Sequence, residues 1–206
     1  VSADQGATAS VDGDEISITP ELDFNGDILV SVIATDLEGE TGETIFTLAV
    51  LPVNDAPVLS AIDAQEINED DIFILDLSAS DVDGDELSYS ASVNDFGFAS
   101  IDGSTLTVVP DLDYSGNDIE VTVVVSDGVL TDSDTFILNV LNLNDAPIVN
   151  AIANETIFED DTLTLTVSGS DVDDLDVITF SVSADQGATA SVDGDEISIT
   201  PELDFN

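Results

Sequence analysis

The chain has 206 residues and carries 46 Asp plus Glu with no Lys, Arg or His, a formal net charge of −46. Nucleic acid and anionic membranes need a basic footprint that this chain cannot form. Without His, Cys, Lys or Arg it also lacks the usual general bases, thiolate nucleophile, Schiff-base amine and anion clamps.

What is left for chemistry is carboxylate, hydroxyl and carbonyl oxygen, the ligand set of a hard cation such as calcium. The charge alone would suggest disorder, but 43% of the residues are apolar and gathered in short segments, so the chain is expected to fold. It has no cysteine for disulfides or soft-metal sites. No apolar run is long enough to cross a bilayer, and direct membrane insertion is not expected.

In chain order, Ile16 and Ile18 begin an alternating pattern with the two-residue period of half-buried strands, and the run 29–33 continues it. Phe73, Leu75 and Leu77 form the next inward row. Leu106 and Val108 follow, matched to Ile16 and Ile18; then come Val121, Val123 and Val125, matched to 29–33, and finally Phe136, Leu138 and Val140. Asp12-Gly13, Asp83-Gly84, Asp102-Gly103, Ser115-Gly116, Asp127-Gly128 and Asp193-Gly194 read as turns, with Pro110 closing a strand. About seven strands in roughly ninety residues predict an all-β, immunoglobulin-like Greek-key sandwich, repeated in tandem.

The chain also repeats itself. Residues 1–25 recur identically as 182–206, and Asn-Asp-Ala-Pro occurs at 54–57 and 144–147. This divides the sequence into the C-terminal part of a domain B (1–57), a complete domain A (58–147) and the N-terminal part of another B (148–206). The expected context is a long tandem array.

Acidic motifs recur at matched places in A and B. Asn68-Glu69-Asp70 matches Phe158-Glu159-Asp160, and Asp81-Val82-Asp83 matches Asp171-Val172-Asp173. Leu112-Asp113-Tyr114 matches Leu22-Asp23-Phe24, and Ser126-Asp127 matches Thr35-Asp36. The exits are 141–147 and 51–57, each ending in Asn-Asp-Ala-Pro. In this order the motifs resemble the cadherin repeat, and more closely the cadherin-like and Ig-like tandem repeats of large bacterial surface proteins. The resemblance implies calcium at each junction. After Pro147 it implies Glu69, Asp113, Asn144 and Asp145 from A, with Asp171 and Asp173 from B; after Pro57 it implies Asp23, Asn54 and Asp55 from B, with Asp81, Asp83 and Asp127 from A. Ser115 and Asn25 replace a cadherin Glu, Asn142 and Pro52 an Asp, and Ala146 and Ala56 an Asn, which reduces the implied load to one or two ions per junction.

Simpler readings compete. Asp-Gly pairs suit hairpin turns without any metal. Asp81, Asp83 and Asp85 have EF-hand spacing, but Glu86 stands where Gly is required and Ser92 where the bidentate Glu belongs. Much of the acidic surface serves solubility and keeps strand edges apart. Tyr89 and Tyr114 read as core-edge residues, and Asn154-Glu155-Thr156 matches an N-glycosylation acceptor.

The expected role is a structural, non-catalytic segment of a calcium-stiffened adhesin or filament, extracellular or on a bacterial cell surface. Its partners would be neighbouring repeats of the same chain or identical chains in a filament. The alternative is a module that binds polysaccharide, such as surface glycans, or a receptor; the absence of Trp and the two Tyr count against it. A paired-carboxylate glycosidase is disfavoured, because the acidic motifs repeat in both domains. Completion of one B fragment by another chain, by strand complementation, is a further possibility beside covalent continuity.

Overall fold

The computed structural model describes residues 1–173, 177–185 and 187–202, among which there is no helix. The second copies of Gln5 and of 22–25 lie outside the described residues. The first fragment contains β1 (Ser2–Ala3), β2 (Ala7–Asp12), β3 (Glu15–Pro20), β4 (Gly26–Thr35) and β5 (Thr41–Val50). The central segment contains β6 (Val58–Leu59), β7 (Gln65–Asn68), β8 (Phe73–Asp76), β9 (Ala79–Ser80), β10 (Ser88–Val93), β11 (Gly97–Asp102), β12 (Thr105–Pro110), β13 (Gly116–Ser126) and β14 (Thr131–Leu141). The last fragment contains β15 (Ile148–Val149), β16 (Leu163–Thr166), β17 (Gly169–Ser170), β18 (Ala188–Asp193) and β19 (Glu196–Pro201).

In the central segment one sheet runs β10-β13-β14-β7 and the other β11-β12-β8, with β6 and β9 paired beside them. All pairings are antiparallel except β7 with β14. Alternate residues point between the sheets, and these are the apolar ones. Leu106, Val108, Val121, Val123, Val125, Phe136, Leu138 and Val140 are buried in one cluster with Ile119, Phe73 and Leu77, while Leu75 packs against it half-buried. Phe73 and Phe136 meet across the sandwich with ring centroids 5.9 Å apart. Each such side chain contributes about 1.5–3 kcal/mol when removed from water, which is how so acidic a chain can fold. Most carboxylates lie on the outer faces and loops; Asp132 and Asp134, on the inward row of β14, are half-buried and each accepts a backbone N–H.

The hairpin β11–β12 turns at Gly103, whose φ of +61° only glycine adopts freely, with Asp102 paired to Thr105. The corresponding hairpins β2–β3 and β18–β19 turn the same way at Gly13 and Gly194. Tyr114 lies half-buried at the edge of the core, stacked on Phe96 at 4.8 Å. Its hydroxyl donates to Asp118, and burial followed by that carboxylate pushes its pKa up to about 12.

One predicted correspondence shifts by a residue. The run 29–33 does not match Val121–Val125: Ile28 pairs with Leu48 as Ile119 pairs with Leu138, so Ile28 and Val30 are the buried counterparts of Ile119 and Val121. Leu29 and Ile33 are about half exposed instead. The cause is a β-bulge in β13, where the register shifts between Gly116 and Ile119. Domain A has one more residue there than B.

The two B fragments each hold part of this plan. In 1–57 the sheets are β1-β4-β5 and β2-β3; in 148–202 they are β16-β19-β18 and β15-β17. Strands corresponding to β7 and β10 are absent at 155–158 and 178–184.

Candidate metal sites at the domain junctions

At the junction after Pro147, the end of β14 passes beside the loop after β7. Glu69 is the buried charged residue at this point, 4% exposed. Its backbone N–H donates to Leu141 O at 2.8 Å, extending the β7–β14 ladder. Its Oε1 accepts from the Leu143 N–H and, at 3.0 Å, from Asn142 Nδ2. A carboxylate is tolerated there because donors surround it.

Asp70 and Asp113 follow in left-handed backbone, φ +64° and +57°, a conformation that Asp tolerates better than most residues. The Asp113 N–H donates to Asp70 Oδ1 at 3.3 Å. Asp70, Asp113 and Asp145 bring one carboxylate oxygen each within 4.8 Å of one another. From the B side, Asp173 accepts from the Asp145 N–H at 2.7 Å and from Asn142 Nδ2, while its own N–H donates to Asp171 Oδ1 at 3.2 Å. Desolvation, then the charges of Asp113, Asp173, Asp70 and Glu69, hold the Asp145 carboxyl above its ordinary pKa.

The junction after Pro57 has the same parts seen from the other side. Asp81 Oδ1 accepts from the N–H groups of Asp83 at 2.9 Å and Gly84 at 3.1 Å, which winds the loop so that Asp81, Asp83 and Asp85 converge within 4.8 Å. The Asp55 N–H donates to Asp83 Oδ2 at 2.8 Å, and Asn54 Nδ2 donates to Asp127 Oδ2 at 2.8 Å. Asp127 Oδ1 also accepts from Val129 and Leu130 N–H at 2.6 Å each. The Asn54 bond, then these backbone bonds, hold its carboxyl below the ordinary value. Asp55 is shifted the other way, by desolvation and then by Asp23, Asp83 and Asp81. Asp23, Asp55 and Asp83 line a cleft of about 270 Å³.

All twelve residues named from the sequence therefore stand at a junction, but not equally close together. Asp81 and Asp83 fall in one tight group and Asp113 and Asp145 in the other. Asp55, Asp173 and Glu69 lie beside those groups, joined to them by backbone hydrogen bonds or charge, while Asp23 bears on Asp55, Asp171 on Asp173, and Asp127 is held through the Asn54 side chain. The side chains of Asn54 and Asn144 donate to the carbonyls of Asp55 and Asp145, at 3.1 and 2.6 Å. Asp70 and Asn142 were not among the sequence candidates. The repeated Glu-Asp of 69–70 and 159–160 was the available signal for Asp70, whose counterpart Asp160 has the same left-handed backbone, φ +68°.

The donors fit a hard cation. Asp81 Oδ2 and Asp145 Oδ2 are shielded from solvent with no hydrogen-bond partner, one at each junction and each inside a tight group. A buried carboxylate oxygen without a donor is costly, and an oxygen-coordinated divalent ion would satisfy it.

The family model of the bacterial Ig domain matches residues 54–139 and 144–206. No curated protein matches the chain. Among solved structures, an endo-fucoidan hydrolase of glycoside hydrolase family 107 is 18% identical, over 95% of this chain and 33% of the hydrolase, with a TM-score of 0.37; the chain thus spans about a third of that enzyme's length. An I-band fragment of titin is 12% identical, over 98% of this chain and 74% of the fragment, with a TM-score of 0.37. No described helix is long and apolar enough to cross a membrane. With one family match covering most of the central sandwich and a second the fragment after it, the chain belongs to the bacterial Ig domain family, as a tandem array of all-β, Ig-like modules of structural or binding type.

Proposed function

We propose that the chain is a segment of an extracellular or cell-surface adhesin or filament whose domain junctions bind calcium and stiffen when they do. The observation that carries this reading is the pair of partnerless, shielded oxygens, Asp81 Oδ2 and Asp145 Oδ2, each inside a converging acidic group at a junction. Asp145 and Asp55 sit where desolvation and neighbouring carboxylates disfavour their charge; a divalent ion removes that penalty only while the two domains hold their relative position. The ion therefore supplies charge compensation, and the chain supplies the fixed loops. Asn142 and Asn144, bonded to Glu69 and Asp173 and to the Asp145 carbonyl, keep those loops in place.

The test combines calorimetric calcium titration with small-angle scattering. Saturable binding together with an increase in maximum dimension supports the proposal. No binding at millimolar calcium, or binding with unchanged dimensions, sinks it.

A further inference from the structure

Domains A and B share their core pattern but differ on the outer face of one sheet. In A this is the sheet of β8, β12 and β11, whose outward residues line up across the strands. Val109 pairs with Phe98, and Ile72, just before β8, continues the same row; Ile74, Thr107 and Ser100 form the next. Phe98 is 67% exposed, Ile74 64%, Ile72 57% and Val109 40%. Cross-strand neighbours of this kind touch, so water meets a continuous apolar patch.

In 148–202 the equivalent sheet is built from β16, β19 and β18 in matching register. Leu163 pairs with Ile199 as Phe73 pairs with Val108, and Thr189 pairs with Thr200 as Phe98 pairs with Val109. There the outer row is Thr162, Thr200 and Thr189, with Thr162 Oγ1 3.0 Å from Thr200 Oγ1, and Thr164 takes the place of Ile74. The hairpin β2–β3 again pairs threonines, Thr8 with Thr19. The inward positions keep their apolar character, as with Leu106 and Ile197, both buried. Threonine suits a strand as well as valine or isoleucine does, so the sheet forms without apolar residues on its outer face. An exposed apolar cluster that the fold does not need marks a contact surface.

Carboxylates bracket the patch along the strands. Asp76 ends β8 and Asp102 ends β11, both exposed on the patch's own face, and exposed Asp111 follows β12 at the opposite end. The sequence holds no Lys, Arg or His to meet them.

We infer that this face of domain A docks a basic, amphipathic protein segment: its apolar side chains cover Phe98, Val109, Ile72 and Ile74, and its Lys or Arg residues meet Asp76, Asp102 and Asp111. Charge complementarity selects this occupant, because a second copy of the chain would set acid against acid. An aromatic and aliphatic centre inside a charged rim is also the usual anatomy of a protein contact. The surface uses none of the residues in the two tight acidic groups and so does not depend on the calcium reading.

The probe is a labelled synthetic peptide alternating Lys with Val and Phe, titrated with the 206-residue chain by fluorescence anisotropy, in chelator and at near-physiological salt to screen non-specific attraction. Saturable binding is expected. Ile74→Thr/Phe98→Thr/Val109→Thr, which installs the B residues and leaves the charge unchanged, should weaken it at least tenfold; should this variant lose its fold, Phe98→Thr alone carries the test. Asp76→Asn/Asp102→Asn/Asp111→Asn, which keeps the apolar row, should weaken it by a few-fold. Absence of saturable binding, equal binding by the threonine variant, or equal binding of a peptide with Glu in place of Lys overturns the inference. So does sedimentation in which the parent self-associates and the threonine variant does not, which gives the face to a second copy. Retention of the parent but not the variant on a glycan array gives it to a sugar instead. Because the titration contains no calcium, its failure leaves the junction proposal standing, and a failed calcium titration leaves this one standing.

Discussion

Glu69 is the most informative single position, since its carboxylate has both a structural duty visible in the fold and a role in the proposed calcium site. The perturbation is Glu69→Ala. The buried Oε1 accepts from Leu143 N–H and Asn142 Nδ2, and hydrogen bonds to an ionised acceptor contribute about 1.5–3 kcal/mol each. Asn142 is exposed and can turn to water, so its share is recovered in part; Leu143 N–H is left unpaired at a partly buried site. Taking the low end for both, the loss is about 3 kcal/mol. Glu69→Gln keeps an acceptor for Leu143 and should cost roughly half as much, about 1.5 kcal/mol. Urea unfolding in chelator, followed by the fluorescence of Tyr89 and Tyr114, reads domain A without interference from the B fragments, which contain no Tyr or Trp. With a slope of about 1 kcal/mol/M for a domain of this size, the midpoints should fall by about 3 M and 1.5 M. If Glu69→Ala unfolds within about 0.5 kcal/mol of the parent, a change no larger than an ordinary surface substitution, the carboxylate is not holding the end of β14 and the geometry of that junction is wrong.

Leu106→Ala, which empties a fully buried position of β12 between β8 and β11, should cost about 2–5 kcal/mol in the same assay, whereas Leu29→Ala on the exposed face of β4 should be nearly neutral. Asp145→Asn and Asp81→Asn should each weaken calcium binding at least tenfold at their own junction and leave the other unchanged, as read by calorimetry. For pH, Asp55 and Asp145 have folded pKa values above the ordinary 3.8, so in chelator the folded state binds more protons than the unfolded one just above pH 3.8. Stability should therefore rise as the pH is lowered from 7 toward that range. Asp127 and Asp4 are depressed instead, by hydrogen bonds from Asn54 and Gln5 respectively; their contribution is complete above pH 3.8 and is lost as the pH falls through their folded values. Thermal melts across pH 3–7 should trace a maximum in mild acid, and a steady decline from pH 7 downward would contradict the assignment. Saturating calcium should flatten the rise, because protons and the ion compete for the same oxygens.

The strands of domain A were legible because burial there depends on a two-residue period, which Leu106/Val108 and Val121/Val123/Val125 state without ambiguity. The bulge in β13 was not legible: one extra residue near Asp118 moves every later position of the match to B, yet 28–33 is apolar on both faces, so either register reads equally well. The hairpin turns followed from Asp-Gly chemistry. At the junctions, Asp81, Asp83, Asp113 and Asp145 stood out through repeated motifs; Asp70 lay in the repeated Glu-Asp of 69–70 and 159–160 but enters its group through a left-handed backbone, and Asn142 matters because it reaches two carboxylates at once, which no spacing states. Asp132 and Asp134 went unrecognised as structural. They accept from the N–H groups of Leu59 and Ile62 at 2.8 and 2.7 Å, so part of the acidity that reads as solvated surface in fact fastens β6 and the segment after it to the sheet edge.

The bulge at Gly116–Ile119 has a consequence for biosynthesis. In an array, a nascent domain emerges beside siblings of the same fold, and exchange of homologous strands between adjacent modules is the characteristic error of such chains. Here neighbouring modules disagree by one residue in the length of a central strand, so a segment of one that invades the other must leave a kink unfilled or crowd an inward side chain. Alternating two units that differ in this way disfavours such exchange, which a run of identical beads would not do.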